Sequence, residues 1–203
     1  MEGVRYGFYL RPSAALCRAQ AEVHDLLRRQ YGTTGGGVFM PHCTVKGFFR
    51  SDAPVEELIA RLDPVMAGRA PFAVFNAGPV PFGKAGIALS IQQMPDGRRN
   101  EALQAVHEAA WDAIEPVIHP ACNFSPTEGK RDNFHAHLTL AMADIPAVVF
   151  DEIVDFVNDL RPIGPDVFSA EAFHLFEFRS DDWTGTWWDT LRWRLLHGWR
   201  LGK

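Results

Sequence analysis

The chain has 203 residues, and its 20 Lys and Arg against 25 Asp and Glu give a net charge of −5. At roughly 100–200 residues per domain, that length fits one domain or two small lobes, and 47 % hydrophobic with 22 % charged residues excludes wholesale disorder. The acidic balance argues against bulk coating of duplex nucleic acid, which needs many cations on phosphates, and leaves open a small phosphate ligand or one RNA end.

Arg5–Leu10 reads as a short strand closed by Pro12. Ser13 then caps a helix running to about Tyr31, with Leu16, Val23, Leu26 and Leu27 on one face. Residues 32–37 break that helix, Val38–Phe49 reads as a strand, and Pro54 opens a second helix. Strands around Phe72–Ala77 and Ile87–Gln92 lead to a turn at Asp96 and Gly97. A long amphipathic helix to about Ile118 follows, carrying Leu103, Val106, Ala110, Trp111 and Ile114. Phe134–Met142 is a strand, Pro146–Leu160 a helix, Phe168–Phe178 a strand, and Trp187–Leu196 its hairpin partner. Each half thus holds a histidine-bearing strand followed by a helix that starts at a proline. The pattern predicts an α+β fold built from a duplicated unit, with residues 1–203 as one domain.

The two histidine strands align directly. One reads His42-Cys43-Thr44-Val45 and the other His137-Leu138-Thr139-Leu140, and each has an aromatic residue within the few positions before it. Side chains alternate along a strand, so His42 and Thr44 share one face, as do His137 and Thr139, while the residues between them turn to the core. Opening a cyclic phosphate, or cleaving a phosphodiester through a neighbouring hydroxyl, needs one group to take a proton and another to give one. Histidine suits both roles near neutrality, and hydroxyls can hold the charged phosphoryl oxygens. Two facing His-x-Thr strands supply acid, base and two oxygen ligands without a metal.

These motifs resemble those of the 2H phosphoesterase superfamily, which includes bacterial 2′-5′ RNA ligase-like proteins and cyclic nucleotide phosphodiesterases. The likeness covers essentially the whole chain. It implies two pseudo-twofold-related lobes, each an antiparallel sheet with outer helices, and a central cleft lined by the motifs. It also implies metal-independent action on a cyclic phosphate or 2′-5′ phosphodiester of a nucleotide or RNA end, with His42 and His137 as the acid–base pair and Thr44 and Thr139 on the phosphate. No cofactor and no membrane partner are expected, and a monomer is favoured.

Around the motifs, Lys46 shares the predicted face of His42 and Thr44, and either adds positive charge near a phosphate or is a solvated strand end. His135 shares the face of His137 and either meets the ligand, tunes its neighbour or idles at the rim. Phe48, Phe49 and Phe134 are core residues or base-stacking surfaces, as are the tryptophans crowding the C-terminus. Lys130 and Arg131 form a basic lip or a solvated turn. Gly78–Lys84 has the spacing of a phosphate-binding loop, but Ala85 stands where the magnesium-holding hydroxyl belongs and two prolines remove amide donors. His135 and His137 could chelate zinc from one strand face, yet no further ligands follow at a recognisable spacing. His24, His107, His119, His174 and His197 show no partner pattern. Cys17, Cys43 and Cys122 are scattered and odd in number, which suggests neither disulfides nor a metal knuckle. No apolar run of about 20 residues and no signal peptide are visible, so a cytoplasmic location is expected. Three rival readings stand beside the phosphodiesterase: an RNA end-joining enzyme, a nucleotide- or RNA-binding module with little turnover, and a zinc hydrolase.

Overall fold

The computed structural model describes residues 3–202; Met1, Glu2 and Lys203, the outermost residues of the expected single domain, lie outside the described residues. Among the described residues, four α-helices and nine strands alternate along the chain. Strands β1 (Val4–Leu10), β2 (Cys43–Phe49), β8 (Ala172–Arg179) and β9 (Arg192–Arg200) form an antiparallel sheet in the order β2-β1-β8-β9. Strands β4 (Pro79–Phe82), β5 (Gly86–Ser90) and β6 (His137–Met142) form a second, in the order β4-β5-β6, and β3 (Phe72–Phe75) pairs with β7 (Val167–Ala170). The strands that carry the motifs, β2 and β6, are therefore both sheet edges.

Local chemistry sets the helices. In α1 (Ala14–Tyr31) the Ser13 side chain accepts from Leu16 N at 3.3 Å, and Gly32 ends the helix at φ 75°, a conformation that suits glycine. Asn100 caps α3 (Glu101–Ile114) by accepting from Leu103 N. The remaining helices are α2 (Val55–Met66) and α4 (Phe150–Asp159). After α1 the chain makes a short 3-10 turn at Gly35–Gly37 before β2. Asp144, just past β6, pins this loop by accepting from Thr34 N at 2.5 Å and Gly35 N at 2.9 Å. Here absence of a side chain is required, because a Cβ on Gly36 would lie 2.6 Å from Leu140 O.

The principal core gathers Phe8, Leu10, Leu16, Val45, Leu89, Val106, Leu138 and Phe173. A separate aromatic cluster of Tyr9, Phe48, Phe176, Phe178 and Trp183 lies against Phe39, Phe124 and Trp187. The expected strand at Phe168–Phe178 is two strands, β7 and β8, and the Trp-rich partner starts at Arg192, with Trp187 in a preceding 3-10 turn. Gly78–Lys84 contains β4 and the turn into β5, a hairpin with no helix for a phosphate to cap. No helix among the described residues is long and apolar enough to cross a membrane.

Candidate active site

His42, Thr44, His137 and Thr139 all line one cleft of about 260 Å³, together with Tyr9, Phe39, Phe48, Phe124, Glu128, Met142 and Trp187. Cys43, Val45, Leu138 and Leu140 point away into the core, as strand alternation requires. The alternation then breaks in the same place in both strands. Tyr9 pairs with Thr44 but its neighbour Phe8 pairs with Lys46, so Val45 is the extra residue of a bulge. Likewise Ala88 pairs with Thr139 and Ile87 with Ala141, which leaves Leu140 as the extra residue. Beyond each bulge the faces are exchanged, and the next cleft-lining residues are Gly47 and Met142.

That bulge corrects the expectation for Lys46. Its side chain is 0 % exposed and turned from the cleft, where its Nζ donates to Glu128 Oε2 at 2.6 Å and to Ser125 Oγ at 3.1 Å. The ammonium also lies 4.2 Å from the Trp111 ring centroid. It is neither a phosphate ligand nor a solvated strand end. Its partner Glu128, which also accepts from Gly47 N, is the charged group that reaches the cleft wall.

His135 precedes β6, is exposed, and contacts Gln92 Oε1 at 3.1 Å instead of lining the cleft. Phe49 and Phe134 are core, with Phe134 stacked on His107 at 3.8 Å, whereas Phe48 forms cleft wall. Lys130 and Arg131 are tied back to the α3 region through Glu115 and Asp112. No group of three or more potential metal ligands gathers around His135 and His137 or elsewhere among the described residues.

The two imidazoles are held alike. His42 Nδ1 donates to Met40 O at 2.7 Å, and His137 Nδ1 donates to His135 O at 2.7 Å. A carbonyl can only accept, so Nδ1 carries the proton in both rings and Nε2 is left to act as base when bare or acid when protonated. His42 is further clamped by Phe39, stacked at 4.5 Å, and by Tyr9, edge-on at 4.8 Å. Burial is the main reason its pKa falls from 6.5 to about 4; the Met40 carbonyl pulls it up, and the charge of His137 pushes it down. Burial also lowers His137, against the His135 carbonyl and with a smaller push from the His135 charge.

Tyr9 and Glu128 were not singled out from the sequence. Only the pairing of β1 with β2 and the return of residues 119–134 across the cleft bring them to the histidines.

Three solved structures share the fold over nearly the full chain. Protein TT0787 of Thermus thermophilus has a TM-score of 0.65 at 14 % identity, covering 97 % of each chain. LigT of E. coli complexed with 3′-AMP has a TM-score of 0.55 at 16 % identity, covering 99 % of each chain. A structure described as a phosphoesterase has 0.53 at 17 % identity, covering 98 % of this chain and 99 % of its own. No curated protein gives a significant match. The profile of the 2′-5′ RNA ligase superfamily matches residues 12–182, a span that contains both His-x-Thr strands and the cleft between them. The chain belongs to that superfamily, the 2H phosphoesterases.

Proposed function

We propose that the protein is a metal-independent phosphodiesterase that opens a cyclic phosphate, or cleaves a 2′-5′ phosphodiester, in a nucleotide or RNA end. The observation that carries this reading is the matched pair of imidazoles, each with Nδ1 fixed on a backbone carbonyl and each beside a threonine in the same cleft. In hydrolysis the bare Nε2 of one histidine takes a proton from water as its oxygen attacks phosphorus. The protonated Nε2 of the other gives its proton to the departing ribose oxygen, so one water is added across the P–O bond. Thr44 and Thr139 donate their hydroxyls to the phosphoryl oxygens.

Size and lining support a nucleotide substrate. The cleft lies near the lower end of the roughly 300–1,000 Å³ usual for small-ligand sites, room for one nucleotide unit. Phe39, Phe48, Phe124 and Trp187 give the base an aromatic wall. LigT, which shares the fold, has been crystallised with 3′-AMP.

The test is a panel of 2′,3′-cyclic nucleotides and 2′-5′-linked dinucleotides, incubated with and without EDTA, with the product's phosphate position read by NMR. Turnover that survives EDTA and needs no ATP is expected. Absence of turnover across the panel would leave a binding module, and loss restored by zinc would favour a metal hydrolase.

A further inference from the structure

Because β2 and β6 are edge strands, backbone groups on their outer sides have no strand to pair with, and bulges free further carbonyls. In both strands a helix histidine takes up that role. His24 of α1 contacts Thr139 O of β6 through Nε2 at 2.9 Å, and Gln20 Nε2 donates to the same oxygen at 2.7 Å. His107 of α3 contacts Val45 O of β2 through Nδ1 at 2.7 Å, while its Nε2 accepts from Arg131 N at 3.3 Å. The carbonyls again settle the tautomers: His24 donates from Nε2 and His107 from Nδ1.

The connectivity makes this a crossed arrangement. Helix α1 links β1 to β2 but braces β6, whereas α3 follows β5 and precedes β6 but braces β2. Each brace lands on the bulged residue or the one beside it, within three positions of a cleft histidine.

We propose that His24 and His107 are positioning residues for the two-histidine centre, each fixing the motif strand of the opposite lobe so that the two imidazoles keep their mutual register. The proposal rests on the reading of His42 and His137 as the reacting pair. It assigns no contact with substrate to either brace.

The two tautomers give a test that a merely structural role would not reproduce. A glutamine amide nitrogen falls about where a histidine Nε2 lies, and an asparagine amide nitrogen about where Nδ1 lies. The rescuing amide should therefore differ between the sites: His24→Gln and His107→Asn keep the donor, whereas His24→Asn and His107→Gln lose it. Both variants at position 107 forfeit the stack on Phe134 alike, and only His107→Gln retains an acceptor for Arg131 N, so a lower kcat for His107→Gln than for His107→Asn reports the lost donor to Val45 O. In enzyme with wild-type circular dichroism, the mismatched His107→Gln should lower kcat on a 2′,3′-cyclic nucleotide about tenfold relative to His107→Asn with little change in KM, as sub-ångström misplacement of a reacting group does. The effect at position 24 should be smaller, since Gln20 shares the carbonyl.

Nitrogen-15 spectra of the imidazoles read the same displacement without turnover. His107→Gln should move the His42 signals and His24→Asn those of His137, with the matched variants close to wild type. Equal kcat and unchanged ring signals for matched and mismatched amides at both sites would overturn the proposal. A wild-type protein that turns over nothing in the panel refutes the phosphodiesterase reading alone, because the spectra still report the bracing.

Discussion

At the residue scale, the two cleft histidines differ in burial, and that difference is measurable. Native His42 stays neutral down to about pH 4, while the same residue in the unfolded chain takes up a proton near 6.5. The unfolded state then binds more protons, so stability is lost as pH falls from 6.5 towards 4. Each tenfold change in proton affinity is worth about 1.4 kcal/mol, so the loss assigned to His42 is about 3 kcal/mol. Urea denaturation at pH 7 and pH 4 should show His42→Gln losing less than wild type by that order; equal losses would contradict a buried neutral ring. For catalysis, both ring pKa values lie below 6.5 in the free protein, so the optimum of kcat/KM should fall on the acid side of 6.5. The optimum of kcat should lie higher, because a bound phosphate anion favours the imidazolium. His42→Ala or His137→Ala should cost about 10²–10⁴-fold in kcat, and Thr44→Val or Thr139→Val less, since each removes one neutral donor. A folded double histidine variant with near-wild-type turnover would refute the two-histidine chemistry.

At the scale of elements, the bulged motif strand decides what each side chain meets. Lys46 and Glu128 form a pair whose ammonium is fully buried, so removing the acid alone strands a charge. Glu128→Ala should destabilise the protein by about 3–5 kcal/mol, and Lys46→Met added to it should recover much of that loss. A double-mutant cycle by denaturant unfolding checks this; additive losses would show that the two groups do not depend on each other. Gly47→Ala places a Cβ 2.8 Å from Glu128 Oε1. It should raise KM by displacing the segment that carries Phe124 and Thr127 along the cleft, a shift steady-state kinetics would detect. These same elements show how far the sequence could be read. The facing of His42 with Thr44, and of His137 with Thr139, followed from strand alternation, as α1 followed from its Ser13 cap and apolar spacing and α3 from apolar spacing alone; the Asn100 cap of α3 was not read from the sequence. Lys46 defeated the same rule because nothing local in Thr44-Val45-Lys46 announces a bulge. Strand β4 hid behind two prolines, which an edge strand tolerates. Glu128 and the brace histidines were illegible because their roles arise from chain segments far apart in sequence.

At the scale of the molecule, crossing helices and interleaved strands predict that the halves unfold as one cooperative unit. Unfolding by urea should give coincident transitions by far-ultraviolet circular dichroism, which sees α1 and α3, and by tryptophan fluorescence, weighted to the C-terminal strands and loops. Separated midpoints would mean that the lobes melt independently. The placement of β1 between β2 and β8 also constrains how the protein is made. One edge of β1 is covered only when residues 172–179 have been synthesised, and α1 cannot brace β6 until residue 139 exists. At about 5–20 residues per second, the ribosome leaves an apolar strand, Val4–Leu10, half-paired for about 6–26 s between the end of β2 and the end of its second neighbour. During that interval the nascent N-terminal half carries an uncovered strand edge, the kind of edge that pairs with another chain.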